Sequence, residues 1–155
     1  MTISSQGGVN DFGDTLAASQ NHSAACSNST RAVRAQGSFV PGSSNVLEFI
    51  TIDTTGDSTN FGDLPRSGVF SMKGSFASPT RGIFGGGKGP DTNQIDFITI
   101  ATTGNAQDFG DLLSATAEGS GCSNTTRGLF MSGSGPLEDN IIDVITIATL
   151  GNSQD

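Results

Sequence analysis

One phrase is written three times along the chain: Glu48-Phe49-Ile50-Thr51-Ile52, Asp96-Phe97-Ile98-Thr99-Ile100 and Asp143-Val144-Ile145-Thr146-Ile147, at intervals of 48 and 47 residues. Two further words keep step with it. Phe12-Gly13-Asp14 matches Phe61-Gly62-Asp63 and Phe109-Gly110-Asp111, and Thr30-Arg31 matches Thr80-Arg81 and Thr126-Arg127. A period of this length marks each unit as one supersecondary block too thin to bury its own apolar surface, so the blocks must stack on one another. The pattern predicts a single repeat domain over residues 1–155, with units at about 17–64, 65–112 and 113–155.

Local chemistry makes the repeated words strands. Ile95 to Ala101 is rich in β-branched and aromatic residues and lies between turn formers, Pro90-Asp91-Thr92-Asn93 before it and Thr103-Gly104-Asn105 after it. Phe97, Thr99 and Ala101 fall on one side of it and Asp96, Ile98 and Ile100 on the other, so apolar groups point both ways and both faces are expected to be covered. A second strand is Gly82-Ile83-Phe84 running into Gly85-Gly86-Gly87, echoed by Gly128-Leu129-Phe130. A third is the Phe-Gly-Asp word with the Leu16, Leu64 or Leu112 that follows it, and a fourth is expected near Val69-Phe70-Ser71-Met72. Apolar residues nowhere recur at helical spacing over three turns, and 22 glycines disfavour helices throughout.

Units of this length with four short strands suit propeller blades. The chain resembles kelch-like repeats: Arg81-Gly82-Ile83-Phe84-Gly85-Gly86 stands where that family has an apolar strand ending in a double glycine, and Ile95 to Ala101 where it has the next strand. Only the middle unit keeps the double glycine, with Ala35-Gln36 and Met131-Ser132 replacing it elsewhere, and Phe12, Phe61 and Phe109 fill the position of the family's Trp. The wording as a whole is also similar to repeats in virion structural proteins of marine bacteriophages, cyanophages in particular. It runs Thr-Arg-Gly-x-Phe, then Ile-Asp-Phe-Ile-Thr-Ile-Ala-Thr-Thr-Gly-Asn, then Asp-Phe-Gly-Asp-Leu. The expected fold is therefore all-β, with three four-stranded, kelch-like β-propeller blades per chain. A strand at about residues 8–16 is expected to complete the last blade. Propellers close at about four to eight blades, so two chains head to tail, giving six, would close the ring; the alternative is an open three-blade stack capped by another protein of the particle.

What the resemblance implies about function is a non-enzymatic structural component of a bacteriophage particle, on tail, fibre or capsid, that presents a rigid interaction surface. Its partners would be copies of itself, most simply as a dimer, and other virion proteins, with a host-surface glycan as a further ligand. It would be assembled in the host cytoplasm and be extracellular after release. A lectin-like adhesin and a glycan hydrolase are the rival readings.

Composition narrows the choice. A net charge of -8 with seven basic residues disfavours a phosphate-tracking surface, so nucleic acid is not an expected partner. No apolar run approaches the roughly 18 residues that span a bilayer, so membrane insertion is not expected either. Cys26 and Cys122 share one repeat position with Phe76, an exchange that predicts buried free thiols rather than a disulfide.

Several motifs invite a chemical reading. Gly82 to Lys88 begins like a phosphate-binding loop, but Gly89 replaces the magnesium-binding hydroxyl and no helix follows. Asp11 and Asp14, or Asp108 and Asp111, offer paired carboxylates for calcium, which needs about six to eight oxygens, yet Asn60 interrupts the middle copy. His22, the single histidine, lies outside the repeated words. No catalytic residue, metal or cofactor is therefore expected. Three of the five arginines, Arg31, Arg81 and Arg127, hold one repeat position. A structural role is expected for them, each guanidinium forking onto strand-end carbonyls or a carboxylate, with Glu48, Asp96, Asp143 or the aspartates Asp14, Asp63 and Asp111 as candidates. With Phe12, Phe61 and Phe109 these are the structural repeat positions.

Overall fold

Three antiparallel sheets follow one another along the chain in the computed structural model, which describes residues 10–16, 21–35, 37–39, 42–66, 71–135 and 139–155. The first sheet contains β1 (Ala24–Ser27), β2 (Arg31–Ala35), β5 (Val46–Thr51) and β6 (Thr59–Asp63), in that order. Between β2 and β5 sits a two-stranded pair, β3 (Ser38–Phe39) with β4 (Gly42–Ser43). The second sheet orders β7 (Gly74–Ala77), β8 (Arg81–Gly87), β9 (Thr92–Thr99) and β10 (Gln107–Asp111) side by side. The third has β11 (Ser120–Ser123), β12 (Arg127–Gly133) and β13 (Asp139–Thr146), with one further bridge from Val144 to Gln154. Among the described residues there is no helix, and the all-β expectation holds.

The repeated words become three of the strands of the first and second sheets, β2, β5 and β6 and then β8, β9 and β10, and two of the third, β12 and β13. The first strand lies later than expected. Val69 and Phe70 fall outside the described residues, Ser71 and Met72 belong to no strand, and the pairing begins at Gly74. Gly8 and Val9 of the expected N-terminal strand also fall outside. A tight polar turn joins the first two strands of a unit: Asn28 Oδ1 accepts the N–H groups of Thr30 and Arg31, Asn124 Oδ1 those of Thr126 and Arg127, and Ser78 Oγ takes this role in the middle unit. Short polar side chains that mimic a backbone turn suit this position.

The sheets are stacked face to face, and each apolar core lies between two of them. Cys26, Val33, Leu47 and Phe61 of the first sheet meet Phe84, Ile98 and Ile100 of the second. Phe76, Ile83, Ile95, Phe97 and Phe109, on the opposite face of that second sheet, meet Phe130, Ile145 and Ile147 of the third. The middle sheet is thus apolar on both faces, as the composition of Ile95 to Ala101 requires. Alternation along β9 sends Phe97 to one core and Ile98 to the other.

Candidate interaction site at the sheet junctions

The same junction is built between each sheet and the strand word that precedes it. Gly56 and Ser58 donate their N–H groups to the carbonyls of Phe12 and Asp14, both at 2.8 Å, and Asp14 N–H donates to Asp57 Oδ1. Gly104 and Ala106 do so to Phe61 and Asp63, and Gly151 and Ser153 to Phe109 and Asp111; Asn105 and Asn152 replace Asp57. Each Phe-Gly-Asp word is therefore a clasp on the turn of the next unit. Its glycine is required by close approach: φ is +147° to +150°, and a Cβ at Gly13, Gly62 or Gly110 would stand 2.3 to 2.4 Å from the carbonyl oxygen of Gly56, Gly104 or Gly151. Asp14, Asp63 and Asp111 act here through their backbones. The clasp also aligns the residues behind it: Leu16 and Leu113 N–H groups donate to Glu48 and Asp143, so Leu16 matches Leu113, and Thr15 takes the place of Leu64 and Leu112.

A carboxylate is buried at the equivalent point of every sheet, at Glu48, Asp96 and Asp143. Each is neutralised differently. Arg34, directly opposite Glu48 across β2 and β5, pairs with it, and Ser58 Oγ donates to it at 2.7 Å. Asp96 and Asp143 face Phe84 and Phe130 instead and take cations from other segments: Arg66 Nε at 2.6 Å and Lys73 Nζ at 2.8 Å. Burial pushes the Glu48 carboxyl up, but the bonds from Ser58, Leu16 and Arg34 outweigh it and leave the group below its ordinary range. Asp143 behaves alike, through Lys73, Ser153 and Leu113. At Asp96 burial prevails over Arg66 and Gln94, and the carboxyl is raised.

The repeated arginines lie elsewhere. Arg31 and Arg81 stack over Phe49 and Phe97, at 4.6 and 4.8 Å from the ring centres, and reach the next sheet. Arg31 Nη1 donates to the carbonyls of Ile100 and Ala101, and Arg81 Nη1 to that of Ile147. Of the expected partners, the strand-end carbonyls are used and the carboxylates are not. The register explains this, because Arg31 and Arg81 lie opposite Thr51 and Thr99, three residues along from Glu48 and Asp96. Arg127 holds the same position on the third sheet with its side chain exposed.

That exposure extends over the whole outer face of the third sheet. Leu129, Met131 and Val144 are only half-buried and Ile142 is 50% exposed, whereas Ile83 and Ile95, at the positions of Leu129 and Ile142 in the middle unit, are fully buried. The two cysteines diverge for this reason. Cys26 is buried under the second sheet, and burial pushes its thiol up to about 12; Cys122, expected to be buried, is exposed, and among the described residues no further sheet lies over it. Both are free thiols. At the other end of the stack, Ile52 is 40% exposed where Ile100 and Ile147 are buried, and Phe12 is 36% exposed where Phe61 and Phe109 are buried.

Compared with known proteins, the sequence matches no family model and no curated protein. The other motifs have structural surroundings. Gly82 to Gly87 are buried in β8, and Lys88 pairs with Glu118 at 2.8 Å. Among the described residues no three His, Cys, Asp or Glu side chains gather as a metal site, and no helix is long and apolar enough to cross a membrane. Sequence reasoning missed the cations Arg34, Arg66 and Lys73, because none of the three occupies a repeated position.

Proposed function

We propose that the chain is a non-enzymatic structural module of a bacteriophage particle, whose sheets act as kelch-like propeller blades and present a rigid surface to other particle proteins. The observation that carries this reading is the repeated clasp: three Phe-Gly-Asp words grip three successive turns with the same backbone bonds. A molecule built by copying one junction transmits position and resists deformation. The repeat wording, similar to that of phage virion proteins, supplies the particle context. The buried polar groups serve the junctions, and the functional surface is the set of exposed turns and the two outer faces of the stack.

The test is location. Purified phage particles carrying this gene product, examined by peptide mass spectrometry and immunogold labelling, should contain the chain at a fixed copy number and at one site. A product found only in the soluble lysate would remove the reading. Hydrolysis of host polysaccharide by the pure chain would favour the glycan-hydrolase alternative.

A further inference from the structure

We infer that the outer face of the third sheet is a docking surface for the first sheet of a second copy of this chain, joined head to tail. This rests on the scaffold reading for its purpose, but its evidence is the two junctions inside the molecule. Each internal junction places one face of a sheet, the trailing face, on the opposite, leading face of the next. Among the described residues the trailing face of the third sheet, at Cys122, Leu129, Met131, Ile142 and Val144, and the leading face of the first, at Ala32, Arg34, Ile50 and Ile52, are half-buried or exposed. Phe76, Ile83, Ile95 and Phe97, and Gly82, Phe84, Ile98 and Ile100, at the same positions of the middle sheet, are buried.

The size pairing across these faces is conserved by exchange. At the first junction Cys26 Sγ lies against Gly82, and at the second Phe76 lies against Gly128; a Cβ on either glycine would fall within 2.5 Å of that side chain. The matching pair across two copies is Cys122 with Ala32, in which the extra methyl group meets the smaller of the two partners. Ala35 and Gly85 occupy the trailing position that faces an aromatic ring, Phe84 or Phe130. The matching pair is Met131 with Arg34. Arg34 is drawn back onto Glu48, and a recess of about 130 Å³ lined by Ala32, Arg34, Glu48 and Ile50 opens beside it. A flexible thioether suits such a recess.

Polar groups extend the match. Arg31 and Arg81 donate to carbonyls at the end of the next sheet's central strand, at Ile100 and Ile147. Arg127 has the equivalent carbonyl of Ile52 on a second copy within its pattern. The edge of β13 beyond the Val144–Gln154 bridge is the place where β10 pairs with β9 in the middle sheet, through Gly110 opposite Ile95. Phe12-Gly13-Asp14 of the second copy is the same word as Phe109-Gly110-Asp111, and its half-exposed Phe12 would cover Ile142 as Phe109 covers Ile95. Such a contact is heterologous: each copy keeps one free face of each kind until a ring closes.

Head-to-tail docking has a signature that no symmetric contact shares. Ile52→Glu disables only the leading face and Met131→Glu only the trailing face, and both residues are exposed or half-buried, so each variant should unfold at the temperature of the native monomer. By light scattering, the native chain should assemble to two or more copies, each variant alone should be monomeric, and an equimolar mixture should give heterodimers of doubled mass. In parallel, Ala32→Cys should form an intermolecular disulfide with Cys122 under mild oxidation, lost when Cys122→Ser is added. A native chain that stays monomeric at every concentration, leaving the face to some other protein, would overturn the proposal, as would a mixture that fails to pair. Monomers found on particles would sink the docking alone; assembled chain absent from particles would sink the scaffold reading alone.

Discussion

Lys73 Nζ donates to Asp143 Oδ2 at 2.8 Å, joining two residues that are 70 positions apart, with both side chains fully buried. Lys73 stands just before the first strand of the second sheet and Asp143 in the last strand of the third, so this single bond ties the two sheets together. A lysine with no exposed surface is uncommon, and it is tolerated because its charge is met in place.

Removing one partner of this pair leaves the other charge stranded in the interior. Lys73→Met is expected to destabilise the fold by about 3 to 5 kcal/mol, measured by urea denaturation, and Lys73→Met with Asp143→Leu to recover much of that loss. A single variant within about 1 kcal/mol of the native chain would show that the pair is not closed in solution.

Acid should loosen the fold through two of the three buried carboxylates. Glu48 and Asp143 are held below their ordinary values of 4.5 and 3.8, so each contributes stability that is complete above that value and is lost as pH falls through the lower folded value. Asp96 has the opposite sign: its folded value is raised, so its contribution becomes unfavourable as pH climbs from 3.8 through that raised value. Denaturation midpoints followed from neutral pH downward should fall below pH 4.5; Glu48→Gln or Asp143→Asn should flatten that limb, while Asp96→Asn, which removes a contribution of opposite sign, should steepen the loss of stability on acidification. Equal acid limbs in all the variants would contradict the assignment.

The clasp can be separated from backbone strain by two alanine substitutions. Gly62 and Gly104 have similar φ, +150° and +155°, but a Cβ on Gly62 meets the Gly104 carbonyl at 2.3 Å while one on Gly104 meets nothing within 4 Å. Gly104→Ala is expected to cost about 1 to 3 kcal/mol of strain, and Gly62→Ala about 1 to 3 kcal/mol more for the collision. Thermal unfolding of the two proteins side by side measures the difference, and equal losses would mean that the clasp opens freely.

Three arginines at one repeat position form a built-in comparison. Arg81→Ala should lower stability by about 1 to 2 kcal/mol, since it removes a ring stack and a bond to the Ile147 carbonyl. Arg31→Ala should behave alike, while Arg127→Ala should change the monomer by no more than about 0.5 kcal/mol. Calorimetry under dilute, monomeric conditions gives all three values; a large loss at Arg127 would place it in a contact other than the one inferred for it.

The sequence by itself determined the unit and its strands. The recurrence of Ile-Thr-Ile, Thr-Arg and Phe-Gly-Asp marks β2, β5 and β6 and their counterparts, because β-branched runs bounded by turn formers are local signals. The two-sided apolar pattern of Ile95 to Ala101 announced a sheet covered on both faces. The first strand of each unit was misplaced rather than located, expected near Val69 to Met72 and found at Gly74–Ala77, since Gly74-Ser75-Phe76-Ala77 and Ser120-Gly121-Cys122-Ser123 have no β-branched residue to mark them.

Tertiary structure alone decided what each repeated residue does. Cys26 and Cys122, or Arg81 and Arg127, occupy the same words, yet one of each pair is covered by a following sheet and the other is bare. The buried carboxylates drew their cations from Arg34, Arg66 and Lys73, residues outside the common wording. Strand formation depends on a residue's neighbours in sequence, which the repeat copies faithfully; burial and charge pairing depend on neighbours in space, which differ at the two ends of a stack.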